Sequence, residues 1–229
     1  MKTKFYAGSE PIKKLRQLRS LFGAFLSTPS SNSLPILAGG SLRDDYMGLP
    51  DYYISDYDIF IKDISPELNA DGSFEDTVTG IIQRVFPHHE GYEILFDDQY
   101  MTLEEQKDSP AGQIKPGANA QITYVWEILE DGQTYQLIFT KTDPVDHVNK
   151  YFDLGFCKAY CDGKKIRYTD DFLYDVKHKT LTIVGDDMTE DQIEHTVNYH
   201  AAKVMLKYEG FRVVVPPRYQ KYIKGYPTF

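Results

Sequence analysis

Apolar residues recur every three or four positions in three parts of the chain, which is the spacing of one buried helical face. They predict an amphipathic N-terminal helix within residues 8–26, a helix that begins near Ser73, and a helix from Thr189 to Tyr208. The three apolar stripes are Ile12, Leu15, Leu18, Phe22 and Phe25; Val78, Ile81, Ile82 and Val85; and Ile193, Val197, Ala201, Val204 and Tyr208. The basic residues of the first helix mostly fall outside its stripe and are expected to face solvent: Lys13, Lys14, Arg16 and Arg19.

Alternation of apolar and polar residues predicts strands elsewhere. One strand is expected at Tyr92 to Phe96, and residues 120–129 and 134–141 flank the turn Glu130-Asp-Gly-Gln as the two strands of a β-hairpin. Residues 98–119 contain few apolar residues and are predicted to form a long mobile loop. A short helix is expected after the hairpin, at residues 143–150.

A candidate binding site follows the apolar run Ile36-Leu-Ala. Gly39 and Gly40 end that run, Ser41 lies where a helix N-cap is expected, and Gly48 closes the helix after about two turns. A strand, a glycine turn and a helix N-terminus together present backbone N–H groups that have no partner inside the helix. Such groups bind anions, and phosphates above all. The sequence therefore predicts a phosphate site at this turn.

Two aspartates begin the next strand-like run, Asp56-Tyr-Asp-Ile-Phe-Ile. Residues two apart on a strand project to the same face, so Asp56 and Asp58 are expected to form a pair of carboxylates beside the phosphate site. Mg²⁺ is commonly held by carboxylates together with phosphate oxygens, because the ion keeps octahedral oxygen coordination and shares it with substrate. We therefore predict Mg²⁺ as the cofactor, with Asp56 and Asp58 as its ligands.

Composition narrows the class of protein. A chain of 229 residues with 41% hydrophobic content can bury a sizeable core. Its formal net charge of −9 argues against a generally cationic nucleic-acid binder, but it is compatible with a local basic track. The sequence has no run of about 18 apolar residues and no secretory leader, so we expect a soluble, cytoplasmic protein without membrane contact. Cys157 and Cys161 lack the partners of a zinc site and are expected to be reduced.

The segment from Gly39 to Asp58 resembles the nucleotidyltransferase superfamily of polymerase-β type, whose signature is Gly-[Gly/Ser], a spacer and Asp-x-[Asp/Glu]. It is most similar to bacterial poly(A) polymerases and CCA-adding enzymes, which have Gly-Gly-x-Val-Arg-Asp and a short helix ending in Gly before Asp-x-Asp. Gly39-Gly-Ser-Leu-Arg-Asp and Gly48 fit that frame, with about three extra residues before Asp56.

Later parts of the chain follow in the order that this family has. Phe152-Asp precedes a hairpin with the turn Cys161-Asp-Gly-Lys, and the last predicted helix closes in Gly210-Phe. The resemblance implies an α+β nucleotidyltransferase fold, a mixed β-sheet with helices packed on it, plus a short C-terminal helical neck remnant. It divides the chain into an N-terminal helix and linker at 1–33, a catalytic-type domain at 34–170, and a neck-like helix with a basic and aromatic tail at 171–229.

The resemblance also implies roles for individual residues. Asp56 and Asp58 would be catalytic and bind the metal, while a nucleotide would be bound by Gly39, Gly40, Ser41, Arg43, Lys141, Tyr151 and Asp153. The family's third carboxylate corresponds to Gln136, which cannot take up a proton and is a weaker metal ligand than an acid. Three alternatives stay open: another acid such as Glu127 or Asp153 takes that place, activation of the acceptor is weaker, or nucleotides are bound without turnover.

Recognition of the base is where the sequence departs further from CCA-adding enzymes, which use Glu-Asp-x-x-Arg on the neck helix. Counting back from Gly210-Phe, the corresponding residues are Glu194, His195 and Asn198, so the arginine and one acid are missing. CCA addition is therefore disfavoured. In the tail from residue 211, basic residues alternate with tyrosines in a pattern that can bind a single strand, but packing of the tyrosines on the domain is favoured.

These observations favour Mg²⁺-dependent transfer of a nucleoside monophosphate from an NTP such as ATP to a hydroxyl acceptor, without CCA-type base templating. An RNA 3′ end is one candidate acceptor. The alternatives are a degenerate nucleotide-binding or interaction protein without turnover, and a small nucleotidyltransferase that modifies a protein. The sequence leaves the acceptor, the preferred base and the oligomeric state open.

Overall fold

The computed structural model describes residues 4–54, 56–68, 74–97, 121–185 and 188–222. The segment 98–119, for which we predicted a mobile loop, and residues 223–229 of the tail lie outside these ranges. Among the described helices, none has the length and apolar character needed to cross a bilayer.

Nine strands are found within the described ranges: β1 (Ile36–Ala38), β2 (Asp56–Lys62), β3 (His89–Asp97), β4 (Ile122–Glu130), β5 (Gln133–Thr140), β6 (Ala159–Cys161), β7 (Ile166–Tyr168), β8 (Thr180–Thr182) and β9 (Arg212–Val214). The first seven form one mixed sheet in the spatial order β3-β4-β5-β2-β1-β6-β7. Within that sheet β2 and β5 run parallel, while its other neighbouring strands are antiparallel. The last two strands form a separate parallel pair.

The described helices are α1 (Glu10–Gly23), α2 (Gly40–Tyr46), α3 (Ser65–Leu68), α4 (Phe74–Val85), α5 (Pro144–Tyr151) and α6 (Asp170–His178). A further helix, called the neck helix below, consists of Glu190–His195, a π-helical turn at Thr196–Ala201, and Ala202–Met205. Single 3-10 turns lie at Asp51–Tyr53, Gly155–Cys157 and Pro217–Tyr222. The predicted α+β class with a mixed sheet is thereby confirmed.

The larger hydrophobic core lies on one face of the sheet, and the candidate site lies on the other face. Ile59 and Ile61 of β2 belong to the larger hydrophobic cluster, together with the apolar faces of α1 and α4. Phe60 belongs to the smaller cluster, together with Val145 and Val148 of α5. Since side chains alternate along a strand, Asp56 and Asp58 lie on the face of Phe60, which α5 covers.

The predicted apolar stripe of the N-terminal helix packs in the core, but one of its basic residues is buried as well. Lys14 is 4% exposed, forms an ion pair with Glu130 at the end of β4, and its Nζ donates to the carbonyl of Val85 at 3.2 Å. The prediction that this lysine faces solvent is therefore wrong. A buried carboxylate from the hairpin, remote in sequence, holds the lysine in the core, and its Nζ lies 4.7 Å from the centre of the Phe86 ring.

The neck helix begins as predicted and ends earlier. Thr189 and Gln192 form both hydrogen bonds of the expected capping box. The helix ends at Met205 rather than at Tyr208, and Gly210 follows with a φ of 80°, a backbone conformation that suits the predicted glycine stop. The π-helical turn in its middle was not predicted.

The described part of the tail packs on the protein, as the sequence favoured. Tyr219 is 5% exposed, its hydroxyl donates to the carbonyl of Gly185 at 2.8 Å, and the same oxygen accepts from the amide of Met188 at 3.1 Å. These two bonds tie the tail to the segment that leads into the neck helix.

Tyr219→Phe is expected to lower the free energy of unfolding by about 1–2 kcal/mol, because the Met188 amide and the Gly185 carbonyl lose a buried partner. Urea unfolding followed by circular dichroism measures the loss. Tyr174→Phe is the control, because this side chain is 56% exposed. An equal change in the two variants would contradict the role given to the Tyr219 hydroxyl.

Candidate functional site

The glycine turn connects β1 to α2 and lies beside Asp58 of the neighbouring strand β2. Gly39 has a φ of 87° and is the N-cap of α2, so the prediction of Ser41 as the N-cap is wrong. A Cβ atom at Gly39 would lie 3.4 Å from Oδ2 of Asp58 and 3.7 Å from the ring of Phe152. The backbone conformation therefore requires glycine here, whereas the distances that a Cβ would make to Asp58 and Phe152 are ordinary van der Waals contacts.

Ser41 is one residue inside α2 and presents a hydroxyl to the site. The side chain is 2% exposed, and its Oγ has no hydrogen-bond partner among the described residues. Ser41 also lines a cavity of about 240 Å³ together with Gly39, Gly40, Asp56 and Asp58. A buried polar atom without a partner is costly, so this hydroxyl fits a bound ligand oxygen.

The aspartate pair has the electrostatics of a cation site. Ala38, the last residue of β1, is the antiparallel partner of Asp58, which places the carboxylate beside the turn. Burial raises the pKa of Asp58 well above its ordinary value, and the charge of Asp56 raises it further, while Lys203 and Arg43 oppose the shift. A divalent cation would relieve the repulsion between the two carboxylates.

The donor set fits Mg²⁺ shared with a substrate. Carboxylate oxygens are hard ligands, and this ion usually binds to one or two of them and takes its other ligands from phosphates and water. Within the described ranges no group of three or more His, Cys, Asp or Glu side chains could hold a metal by itself. Asp56 and Asp58 would thus supply the protein ligands.

Gln136 lies beside Asp58 in the neighbouring strand and is hydrogen-bonded to an acid in the strand beyond it. It is the parallel partner of Asp58 in β5 and lines the cavity. Its Nε2 donates to Oε2 of Glu127 at 2.8 Å, across the hairpin. Glu127 is absent from the described lining of the cavity.

Asp153, the other acid considered for that place, lines the cavity but is bound to the neck helix. Its Oδ2 accepts the hydroxyl of Thr196 at 2.8 Å and lies 2.6 Å from Nδ1 of His200. Asp153 therefore orients the π-helical turn. Asp153 thus lines the site, but Thr196 and His200 hold its carboxylate.

Arg43 and Asp44 connect the helix after the glycine turn to the segment that follows the neck helix. Arg43 is 6% exposed, and its Nε and Nη2 contact Oδ1 of Asp44 at 2.7 and 2.6 Å. Asp44 also accepts from Nζ of Lys207 at 2.9 Å and from the hydroxyl of Tyr208 at 2.6 Å. Both Asp44 and Arg43 line the cavity, but their charges are largely paired with one another and with the neck helix.

Two further predicted nucleotide-binding residues lie at different places. Tyr151 ends α5 and lines the cavity, with its ring 5.3 Å from that of His147. Lys141 is exposed and is not among the residues described as lining the cavity. It follows the end of β5, five residues or about 16 Å along an extended chain from Gln136. The parallel register thus puts Lys141 at the opposite end of the sheet from Asp58.

The neck helix and the turn that follows it contribute residues that sequence analysis missed. His200, Lys203, Val204 and Lys207 line the cavity, whereas the counted positions Glu194, His195 and Asn198 do not belong to its described lining. Counting assumed a regular helix, and the π-helical turn at Thr196–Ala201 changes which side chains face the site. The two lysines follow His200 by three and seven residues. This is the spacing of side chains on one helical face, and it could have indicated these residues from the sequence.

Comparisons with known proteins support the fold at a coarse level. No protein-family model matches the sequence, and no curated protein matches it either. Among solved structures, the chain is similar to a tRNA-processing enzyme in an apo form, with a TM-score of 0.51 and 10% sequence identity. The similarity covers 93% of this chain and 45% of that chain, so this protein spans less than half the length of that enzyme. At such low identity the similarity is one of fold.

Proposed function

We propose that the protein is a Mg²⁺-dependent nucleotidyltransferase with a polymerase-β-type fold, which transfers a nucleoside monophosphate from an NTP to a hydroxyl acceptor. The observation that supports this most is the pairing of Asp56 and Asp58 on the sheet face that lines one cavity with the Gly39 turn and the unpartnered hydroxyl of Ser41. The sequence from Gly39 to Asp58 resembles the signature of that superfamily, with about three extra residues before Asp56. The fold similarity to a tRNA-processing enzyme favours an acceptor related to RNA.

The residues that line the cavity would have different roles in such a transfer. Asp56 and Asp58 would hold the metal, and Gly39, Gly40 and Ser41 would position the phosphates. A Mg²⁺ ion held there would supply positive charge to the phosphate oxygens. The acceptor oxygen forms a bond to the α-phosphorus, the bond from that phosphorus to the β-phosphate oxygen breaks, and pyrophosphate leaves. Gln136 cannot accept the acceptor's proton, and we propose solvent water as the proton acceptor.

An RNA 3′ end is the acceptor that we propose, without template-like selection of the base. The counted base-recognising positions, Glu194 and Asn198, are exposed and lie outside the described lining of the cavity. A site without paired hydrogen-bonding edges for one base discriminates weakly between bases. We therefore expect the four NTPs to be used at rates within about tenfold of one another.

The test is a transfer assay with each of the four NTPs labelled at the α-phosphate, Mg²⁺, and either an RNA oligonucleotide or a mixture of proteins as acceptor. Label in RNA that requires a free 3′ hydroxyl supports the proposal. Label in protein instead supports the protein-modifying alternative. Absence of pyrophosphate release with every acceptor would overturn the proposed transfer.

A second candidate function is nucleotide binding without turnover, and the observation that favours it is Gln136 in the place of the third carboxylate. Calorimetry separates the two candidates. Binding of NTP and Mg²⁺ by a protein that releases no pyrophosphate with any acceptor supports the second function, whereas turnover excludes it.

Ser41→Ala is expected to weaken NTP binding about 10- to 100-fold while leaving the free energy of unfolding unchanged or slightly increased. A hydrogen bond to a charged phosphate is worth about 1.5–3 kcal/mol, and loss of a hydroxyl with no partner among the described residues removes nothing from the unliganded protein. Calorimetric titration and urea unfolding measure the two quantities. Ser31→Ala, at an exposed serine, is the control. A large loss of stability would contradict the role given to Ser41.

A further inference from the structure

Two lysines near the end of the neck helix bring positive charge to the cavity that the aspartate pair lines. Lys203 lies in the neck helix and Lys207 in the turn that follows it, and both line the cavity together with Asp56 and Asp58. The protein as a whole carries a formal net charge of −9, so this local positive charge differs in sign from the protein's net charge. This part of the cavity is therefore suited to an anionic ligand beside the carboxylates.

Most cations of the cavity already have a carboxylate or carbonyl partner. Lys207 donates to Asp44 at 2.9 Å and to the carbonyl of Tyr53 at 3.0 Å. Arg43 is paired with Asp44, and His200 with Asp153. These three groups are thus fixed in place by the protein itself, and the charges of Arg43 and Lys207 are largely compensated by Asp44.

Lys203 differs from the other cations of the cavity. It is exposed, and within the described residues it makes no ion pair or hydrogen bond. Its positive charge acts on Asp58, where it opposes the raised pKa of that carboxyl. An amine on a flexible four-carbon stem can reach toward a ligand between the neck helix and Asp58 without losing a protein partner.

We propose that Lys203 binds the β- and γ-phosphates of the NTP, and the pyrophosphate that leaves, from the neck helix. The inference rests on the proposed function and adds a subsite for the phosphate tail. A metal ion at Asp56 and Asp58 would compensate the carboxylates, which leaves the lysine ammonium, with its three donors, for the phosphate oxygens. The neck helix then recognises the phosphates rather than the base.

Lys203 could instead serve only as a counter-charge for the two aspartates. The two roles differ in their consequences. A counter-charge competes with Mg²⁺, so its removal tightens the binding of Mg²⁺ alone and has no effect on pyrophosphate affinity measured at saturating Mg²⁺. A phosphate ligand has the opposite signature, because its removal weakens pyrophosphate binding at saturating Mg²⁺.

The experiment compares Lys203→Gln with the native protein by calorimetric titration of ATP, AMP and inorganic pyrophosphate at saturating Mg²⁺. We expect about 10- to 100-fold weaker binding of ATP and pyrophosphate, the range for loss of a charge-assisted hydrogen bond, and a change of less than about twofold for AMP. Lys203→Arg keeps the charge and is expected to bind within about fivefold of the native protein. Lys177→Gln removes the same charge from an exposed site outside the described cavity lining and is expected to bind like the native protein.

Unchanged pyrophosphate affinity in Lys203→Gln, or an equal loss for AMP, would overturn the phosphate subsite. The result remains separable from the proposed transfer. A native protein that transfers nucleotides normally, but whose pyrophosphate binding does not depend on Lys203, overturns only the subsite. Binding of pyrophosphate that depends on Lys203, in a protein that transfers nothing, overturns only the proposed transfer. A thermal unfolding midpoint within about 2 °C of the native value confirms that each variant is folded.

Discussion

Replacement of Asp56 and Asp58 together by asparagine is expected to reduce Mg²⁺-dependent nucleotide transfer by at least about 10³-fold, without loss of the fold. The two carboxylates would hold the ion, and the charge stabilisation that a bound metal supplies is worth several kcal/mol, at about 1.4 kcal/mol for each tenfold in rate. Asparagine keeps the size of the side chain but supplies only a weak carbonyl ligand. Rates are measured by transfer of α-labelled phosphate under single-turnover conditions.

The same double variant is expected to be more stable than the native protein at neutral pH when no metal is present, by about 1 kcal/mol. In the native protein the pKa of Asp58 is raised, so the folded state binds more protons than the unfolded state as the pH falls through the raised pKa. The loss of folding stability caused by the charged Asp58 carboxylate is fully present above the raised pKa. It disappears below the ordinary aspartate pKa. The gain in melting temperature should therefore shrink as the pH is lowered.

The matched control removes two exposed acids, Glu194 and Glu209, by substitution with glutamine. This control changes the net charge equally and is expected to leave both transfer and the pH dependence of stability near the native values. Transfer that persists in the Asp56 and Asp58 double variant would exclude the pair as the metal site. A double variant that melts well below the native protein would contradict the electrostatic account of the pair.

Asp44→Ala is expected to lower the free energy of unfolding by about 3–5 kcal/mol, the cost of leaving a buried charge without its partner. Asp44 is 2% exposed and receives bonds from Arg43, Lys207 and Tyr208. Its removal leaves the Arg43 guanidinium buried without a carboxylate. It also releases the contact that holds the neck helix beside the glycine turn. Urea unfolding gives the change in stability, and nucleotide binding is expected to weaken in parallel.

A second variant distinguishes an unpaired charge from a simple loss of packing. The combination Arg43→Met with Asp44→Leu removes both charges and keeps apolar volume, so it should be less destabilising than Asp44→Ala alone. Tyr208→Phe removes a single hydrogen bond and is expected to cost about 1 kcal/mol. If Asp44→Ala unfolds at the native urea concentration, Asp44 does not connect the two elements.

Local patterns in the sequence were sufficient to predict most of the elements that build the site. The apolar run before Gly39 predicted β1, the two-residue spacing of Asp56 and Asp58 placed both carboxylates on one face, and Thr189 with Gln192 predicted the start of the neck helix. These features depend on residues that are neighbours along the chain. Periodicity and capping describe such short-range interactions well.

Other features depended on contacts between residues far apart in sequence. The pairing of Lys14 with Glu130 buried a lysine that the helical pattern placed in solvent. The parallel register of β2 and β5 decided that Gln136, and not Lys141, reaches the level of Asp58. The hydrophobic pattern of a strand determines which of its faces is buried, but no short turn joins β2 to β5 to fix the register of their pairing.

In the neck helix, some features depend on neighbouring residues and others on contacts with distant ones. Its sequence determined where the helix begins and which glycine ends the segment. Only the tertiary structure decided that a π-helical turn, bonded to Asp153 through Thr196 and His200, directs Lys203 and Lys207 toward the cavity. The physical reason is that a π-helical turn replaces the usual hydrogen bonds of a helix, and distant partners such as Asp153 stabilise that exchange.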